Sequence, residues 1–383
     1  MIFEDDPELT LLVRLLRNSM AGKTAEDSLW SSVFSKSYFL KLVRRHRVAA
    51  FLASRADTAS LPSSTQNSLA DMSAANAVKA LLRTRTLIEL GKRLENANIP
   101  FLSVKGPMLA QRLYGDVGGR HAGDLDFLID SEHVAAADGL MRESGCRRSS
   151  PNFDLSPRQW REYQIIRHEF QYFNQEGIRI EFGWRLAGLT GTQFDELYAA
   201  HRESQFGGIS IPRLPATTEL LHLFVHGAGH GWFRLFWLLD IALLLRRDHD
   251  WEALMREARR TRTEHCVWQG ARLAETIFGV ELPASIRPPE NRQGVVDWLV
   301  NDAIRQLRAD EKHHSTPISL LRDALYLLRL RPDRTARAAL VRPRLCSPEN
   351  WQRFPLPDQF FSLYYPAAPF LWSWRRIWRA DDP

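Results

Sequence analysis

The fold class is decided by residues 120–129, which read Arg-His-Ala-Gly-Asp-Leu-Asp-Phe-Leu-Ile. The apolar second half predicts a β-strand, and alternate residues of a strand point to the same face. Asp124 and Asp126 would then project side by side next to an apolar core, which is costly unless a cation neutralises them. Mg²⁺ is the expected cation, because it takes carboxylate oxygens together with substrate phosphates. For the Asp-x-Asp pattern alone, an exposed surface pair is the more common alternative.

The residues just upstream favour phosphate binding. Phe101–Val104 predicts a short strand that ends in Lys105-Gly106-Pro107, where a predicted helix begins. Such a turn presents backbone N–H groups and a helix N-terminus to an anion, and Lys105 adds a point charge. Arg120 lies in the following glycine-rich loop, from which it could reach phosphate oxygens. An ordinary strand–helix turn is the alternative, but the order and closeness of these features favour the functional interpretation.

A third carboxylate comes from a predicted β-hairpin. Phe170–Phe173 and Ile178–Phe182 are rich in β-forming residues and are separated by a turn sequence. If the second hairpin strand pairs beside the strand of the Asp-x-Asp pattern, Glu181 completes a metal-binding acidic triad. A surface glutamate on the polar face of the hairpin is the alternative. Two other glutamates are lesser candidates: Glu169 and Glu176.

The pattern along the chain predicts an α+β protein in four parts. Residues 1–97 carry helical apolar repeats, including one long helix over Leu69–Asn96. Residues 98–215 hold the strands and form a small mixed-sheet core. Residues 216–330 return to apolar-striped helices that close the cleft, and residues 331–383 form a basic, aromatic C-terminal segment.

Three stretches of the chain carry a family resemblance. Residues 101–116 read Phe-Leu-Ser-Val-Lys-Gly-Pro-Met-Leu-Ala-Gln-Arg-Leu-Tyr-Gly-Asp, and residues 120–129 follow them. Residues 222–234 read His-Leu-Phe-Val-His-Gly-Ala-Gly-His-Gly-Trp-Phe-Arg, and the run Arg45-His-Arg-Val48 fits as well. These motifs resemble those of the bacterial uncharacterised nucleotidyltransferase family, which belongs to the DNA polymerase β-like nucleotidyltransferase superfamily. With weaker matches near the C-terminus, the resemblance covers nearly the whole chain.

The resemblance implies a polymerase β-like core that is flanked by helical regions and uses two Mg²⁺ ions, with Mn²⁺ as an alternative. Asp124 and Asp126 match the metal-binding pair, and Glu181 would complete the catalytic, metal-binding set. The run Lys105-Gly106 lies where the glycine turn grips the triphosphate of an NTP, with ATP expected first. An NMP would pass to a hydroxyl or phosphate acceptor, with release of pyrophosphate. The acceptor stays open between a peptide, a sugar, an antibiotic-like small molecule and tRNA.

Two departures from the family pattern keep a non-catalytic alternative open. Pro107 follows Gly106 where relatives have Gly or Ser, and it removes one N–H donor. Residues 181–184 read Glu-Phe-Gly-Trp where relatives commonly read Asp-Leu-His-Trp. A degenerate core would bind a nucleotide or a partner without Mg²⁺-dependent turnover. A kinase-like phosphoryl transfer at the same acidic site is a further alternative.

Three histidines with helical spacing allow two interpretations. His222, His226 and His230 recur every four residues and would stack near one helix face. With a suitable third ligand such histidines bind zinc, as in a hydrolase. We favour His226 and His230 as cleft residues that hydrogen-bond the nucleotide or acceptor, with Asp240 positioning a neighbour. Simple capping of a helix end is the structural alternative.

Composition places the protein in a reducing compartment. The 383 residues include 51 Lys and Arg against 45 Asp and Glu, and the resulting net charge of +6 is too small to argue for nucleic acid. Three well-separated cysteines do not predict a disulfide framework. The acidic start of the chain lacks the basic region of a secretory signal, which predicts a cytoplasmic protein.

The C-terminal segment predicts a surface contact. Residues 366–379 mix tryptophan and arginine, which would suit a peripheral membrane or protein contact. The alternative is that the aromatic rings pack on their own domain and leave the arginines in solvent.

Overall fold

The computed structural model describes residues 3–23, 35–58, 61–121, 123–206, 208–309, 317–338, 346–368 and 370–371. In these ranges the chain is a mostly helical α+β protein with one seven-stranded mixed sheet, which confirms the predicted fold class. No helix in them is both long and apolar enough to cross a membrane. The strands are β1 (Phe101–Ser103), β2 (Asp124–Ile129), β3 (Arg147–Ser150), β4 (Glu169–Phe173), β5 (Arg179–Gly183), β6 (Arg202–Phe206) and β7 (Ile209–Arg213).

The sheet places β2 at its centre, in the strand order β3-β4-β5-β2-β1-β7-β6. β2 pairs in parallel with β5 and antiparallel with β1. β1 pairs in parallel with β7, and the remaining neighbours are antiparallel. Because β1 runs against β2 and β5, its end lies at the same edge of the sheet as their beginnings. The predicted acidic residues and the predicted phosphate turn meet at this edge.

Along the chain, helices precede, connect and follow the strands of the sheet. They are α1 (Pro7–Ala21), α2 (Lys36–His46), α3 (Ala49–Arg55), α4 (Ser63–Asn96), α5 (Pro107–Tyr114), α6 (Val134–Glu143), α7 (Pro157–Ile166), α8 (Phe194–Ala199), α9 (Ala216–Gly229), α10 (Leu235–Leu245), α11 (Trp251–Arg260), α12 (Glu264–Phe278), α13 (Glu290–Arg308), α14 (Pro317–Arg329), α15 (Arg334–Ala338) and α16 (Pro348–Arg353). The predicted long helix is confirmed within α4, which is rich in Ala and Leu and contains no proline.

The sequence did not indicate seven of these elements, which are β3, β6, α7, α8, α14, α15 and α16. The two strands form the edges of the sheet and are mostly polar, reading Arg-Arg-Ser-Ser and Arg-Glu-Ser-Gln-Phe. An edge strand with little burial leaves no apolar alternation to detect. The C-terminal segment predicted over 366–379 lies, from residue 372 on, outside the described residues, so its surface contact stays a prediction.

Two apolar cores hold the layers together. One lies between the sheet and α4, α6 and α7, and it includes Trp351 of α16. The other joins α1–α3 to the helices from α9 to α13. The Arg45 guanidinium adds to that second core, because it donates to the carbonyl oxygens of Gln306 and Leu307, both at 2.7 Å. The N-terminal helices therefore pack beside the helices that follow the sheet, while the four-part division of the chain stays a prediction.

Candidate active site

Three carboxylates meet at the shared edge of β2 and β5. In the parallel register Asp126 faces Glu181, and Asp124 faces Arg179. Carboxylate oxygens of Asp124, Asp126 and Glu181 all lie within 4.8 Å of one another. The predicted pairing of the two strands is therefore confirmed. It creates an acidic triad of oxygen donors, the ligand type that Mg²⁺ prefers, so the residues fit such an ion.

Two cations contact the acidic triad. Lys105 Nζ lies 3.2 Å from Asp126 Oδ2, and its side chain is buried. Arg179 Nη2 lies 2.5 Å from Asp124 Oδ2 and 3.1 Å from Glu181 Oε1. Uncompensated charges of like sign would be costly at this depth, so these contacts offset part of the repulsion.

The electrostatic environment differs between the three carboxylates. Burial and the adjacent aspartates raise the pKa of Glu181 to about 10. Burial also raises the pKa of Asp126. Burial acts in the same direction on Asp124, but the charges of Lys105 and Arg179 outweigh it and lower the pKa of Asp124 to about 2. The triad therefore holds more acidic groups than its cations neutralise, which suits a divalent cation.

Gly106 forms the turn between β1 and α5. Its φ of 76° lies in the left-handed region that favours glycine, and a Cβ there would lie 3.6 Å from the main-chain oxygen of Asp124. Pro107 occupies the first position of α5, which suits its ring but offers no N–H. The predicted strand–turn–helix arrangement is confirmed, and it directs Lys105 to the acidic triad.

Arg120 is held by a buried ion pair with Asp240 of α10. Its Nη2 lies 2.8 Å from Asp240 Oδ2, and its Nε contacts both carboxylate oxygens. The Tyr114 hydroxyl donates to the same carboxylate at 2.6 Å. This network ties the loop before β2 to the helical part of the chain. The Nη1 of Arg120 also donates to the His121 carbonyl oxygen at 3.3 Å, so all three guanidinium nitrogens are engaged, and a direct contact between Arg120 and phosphate stays a prediction.

The three histidines form a row along α9. Ring centroids are 5.9 Å apart for His222 and His226, and 4.6 Å apart for His226 and His230. Burial lowers the pKa of His222 to about 3 and that of His226 well below its ordinary value, so both rings are neutral near pH 7. Among the described residues, this row is not one of the groups whose ligand atoms converge within 4.8 Å. That geometry gives the zinc interpretation no support.

Two cavities meet at the acidic triad. The larger has a volume of about 310 Å³ and contains all three carboxylates. The smaller, of about 240 Å³, is lined by arginines and by an aromatic wall of Phe233, Phe236 and Trp237. The residues that line both cavities are Lys105, Asp124, Arg179, His226 and His230.

Two arginines of the smaller cavity were not predicted as site residues. Arg47 follows α2, and Arg234 immediately precedes α10. The main-chain N–H of Leu235 donates to His46 Nδ1 at 3.3 Å, so the two arginine-bearing segments are fixed to each other. Burial and the charge of Arg234 lower the pKa of Arg47 to about 10, although the charge of Asp124 acts in the opposite direction. Arg47 was noticed only within a resemblance motif, and no spacing signal connects it to Arg234.

The mixed sheet, the acidic triad on adjacent strands and the glycine turn together define the class as a nucleotidyltransferase fold. A family model described as uncharacterised nucleotidyltransferase matches residues 33–279, which is more than half of the chain. The chain belongs to this family. No curated protein and no solved structure matches it. The family match begins before α2, so it includes Arg47 as well as the sheet.

Proposed function

We propose that the protein is a Mg²⁺-dependent nucleotidyltransferase that moves an NMP from an NTP, first of all ATP, to an acceptor oxygen. The observation that carries this proposal is the convergence of Asp124, Asp126 and Glu181 oxygens at the junction of two cavities. Of these cavities, one is cationic and aromatic and suits a nucleotide, while the other offers room for an acceptor. The family match supports this chemistry.

In the proposed reaction the acceptor oxygen bonds to the α-phosphorus of the NTP. The bond from that phosphorus to the α,β-bridging oxygen breaks, and pyrophosphate leaves with the bonding electrons. The acceptor proton passes to a carboxylate of the acidic triad, for which Glu181 is the proposed base, ionised once bound Mg²⁺ offsets the charge of the aspartates. Bound at Asp124, Asp126 and Glu181, two Mg²⁺ ions would supply charge neutralisation for the phosphates and the attacking oxygen.

The remaining residues bind and orient the nucleotide. Lys105 and Arg179 contact the carboxylates and line both cavities, from which we expect them to reach an incoming phosphate, while Arg47 and Arg234 add positive charge to the smaller cavity. The aromatic wall of the smaller cavity offers a face for the base, next to His226 and His230. Positioning and electrostatic stabilisation supply most of the catalysis in such transfers. In this scheme the core over 98–215 supplies the chemistry, and the helices over 216–330 close the cleft.

The test is transfer of radioactive label from the NTP. The full chain is incubated with Mg²⁺, cell extract as acceptor source and either α-³²P or γ-³²P ATP, with the other NTPs in parallel. We expect the acceptor to be labelled by α-³²P ATP and not by γ-³²P ATP, together with Mg²⁺-dependent release of pyrophosphate. The Asp124→Asn/Asp126→Asn variant should lose transfer. Glu132→Gln, in an exposed group of potential ligands elsewhere, is the matched control.

Three outcomes separate the alternatives. Label transferred from the γ-position indicates a kinase. Binding of Mg²⁺·ATP without turnover, beside a control enzyme that works in the same extract, indicates the non-catalytic alternative. Turnover that persists in the double aspartate variant contradicts the proposed site itself.

A further inference from the structure

One wall of the larger cavity includes three polar side chains that do not line the smaller cavity. Glu169 and Gln171 lie on β4, next to the Glu181 strand, and His222 faces them from α9. Gln171 Nε2 donates to Glu169 Oε1 at 2.8 Å and lies 3.3 Å from Glu181 Oε1. This wall therefore connects directly to the acidic triad. At about 310 Å³ the cavity has the size of a small-molecule site.

His222 has unsatisfied hydrogen-bonding capacity in this wall. Its side chain is 4% exposed, and neither ring nitrogen has a hydrogen-bond partner within the described part of the chain. A neutral imidazole offers one N–H donor and one acceptor nitrogen. A buried polar group without a partner is costly, so such a group in a cavity indicates a ligand or water. A hydroxyl group is the matching partner, because it both donates and accepts.

Glu169 adds a fourth carboxylate to this cavity, next to Glu181 of the acidic triad. His168 Nε2 lies 3.2 Å from Glu169, whose carboxylate also accepts the Gln171 bond. The cations of this cavity are engaged elsewhere. Lys105 and Arg179 contact the triad, while Arg185 Nη2 donates to three main-chain carbonyl oxygens. A phosphate or carboxylate on the acceptor would be repelled by Glu169 at this low effective dielectric.

We infer that this cavity is the acceptor site and that the acceptor is a non-anionic polyhydroxyl compound of the sugar or amino-sugar class. One hydroxyl is the nucleophile at the acidic triad, and neighbouring hydroxyl or amine groups bond to Glu169, Gln171 and His222. The inference rests on the proposed function, and it deepens it by selecting one acceptor class. It disfavours sugar phosphates and tRNA.

The test uses three small probes that share a backbone and differ in charge. They are 2-amino-1,3-propanediol, glycerol and glycerol 3-phosphate, each supplied to the full chain with α-³²P ATP and Mg²⁺. We expect transfer to fall in that order, with a cation-to-anion rate ratio above about 10. Glu169→Gln keeps the shape and removes the charge, and it should lower this ratio at least ~3-fold. Because the ratio is taken within one variant, changes in nucleotide binding cancel.

A second variant tests the histidine. His222→Phe keeps a ring of similar size and removes both nitrogens, so the KM for glycerol should rise about 10-fold and by more than the KM for ATP. Glycerol 3-phosphate reacting best contradicts the inference. An unchanged cation-to-anion rate ratio in Glu169→Gln also contradicts it. An unchanged KM for glycerol in His222→Phe does so as well.

A binding measurement distinguishes failure of this inference from failure of the proposed function. If the wild-type protein transfers no label from α-³²P ATP to the cell extract and none to any probe, the proposed function has failed. Saturation-transfer NMR with Mg²⁺ and the α,β-methylene analogue of ATP then compares methyl β-D-glucopyranoside with glucose 6-phosphate. The inference is supported if the neutral sugar gives a saturation-transfer signal with the wild type and a weaker one with His222→Phe. Absence of that contact, or preference for the phosphate, overturns it.

Discussion

Lys105 Nζ lies 3.2 Å from Asp126 Oδ2, at the point where the two cavities meet. The side chain that the glycine turn offers to phosphate is thus also a buried counter-charge of the acidic triad. Arg179 has the same double position, because it contacts two triad carboxylates and lines both cavities. We expect both side chains to turn from carboxylate to phosphate oxygens when the substrate is bound, since their charge is then needed there.

Replacing Arg179 separates its two contacts. Arg179→Gln removes a cation that competes with Mg²⁺ for the triad carboxylates. The Mg²⁺ concentration that gives half-maximal turnover should therefore be several-fold lower. The same change removes a phosphate contact and should raise the KM for ATP roughly 10-fold. Turnover measured over a grid of Mg²⁺ and ATP concentrations checks both. Arg142→Gln, in an exposed ion pair of α6, is the control, and parallel shifts of both constants in one direction would contradict this role for Arg179.

The arginines of the smaller cavity should govern nucleotide affinity. Arg47→Ala and Arg234→Ala each remove one positive charge from the smaller cavity, so the KM for ATP should rise roughly 10-fold or more. Raising the salt concentration should weaken ATP binding less in these variants than in the wild type. Steady-state kinetics from low to high salt tests this. Arg44→Ala is the matched control, because Arg44 is an exposed arginine of the same helix that does not line this cavity.

Glu181 should be needed for activity while lowering stability. Its pKa is raised to about 10 in the folded protein without metal, so the folded protein holds a proton that the unfolded chain releases above pH 4.5. The contribution of Glu181 to stability is therefore greatest below pH 4.5 and falls as the pH rises toward about 10. Glu181→Gln removes this effect and should raise the free energy of unfolding near pH 8 by about 1–3 kcal/mol, without added metal. It should also lower kcat by roughly 100-fold or more. Urea unfolding with and without Mg²⁺ tests the stability, and lower stability of the variant would contradict the argument.

The acidic triad was predictable because its signals are local. Strand alternation relates Asp124 to Asp126, and a hairpin pattern marks the strand of Glu181. Parallel pairing of β5 beside β2 was needed to join them, and sequence could state it only as a condition. Arg47 and Arg234 come together where the start of α10 bonds to the end of α2, through the Leu235 N–H and His46. These segments are distant in sequence and carry no shared pattern. The unsatisfied nitrogens of His222 likewise depend on which side chains surround it.

The buried histidine that connects these segments should make stability depend on pH. Burial and the charges of Arg45 and Arg234 lower the pKa of His46 well below 6.5, and its Nδ1 accepts from Leu235. Below pH 6.5 His46 is protonated in the unfolded chain but stays neutral in the folded protein. The contribution of His46 to stability is therefore complete above pH 6.5 and is lost as the pH falls below it. His46→Asn keeps an acceptor near Nδ1 but does not titrate. Between pH 6 and 5 its free energy of unfolding should fall less steeply than that of the wild type, by up to about 1.4 kcal/mol per pH unit.

Urea unfolding at closely spaced pH values measures the two slopes, with His133→Asn, a partly exposed histidine, as the control. Equal slopes for wild type and His46→Asn would show that this ring does not stay neutral in the folded protein.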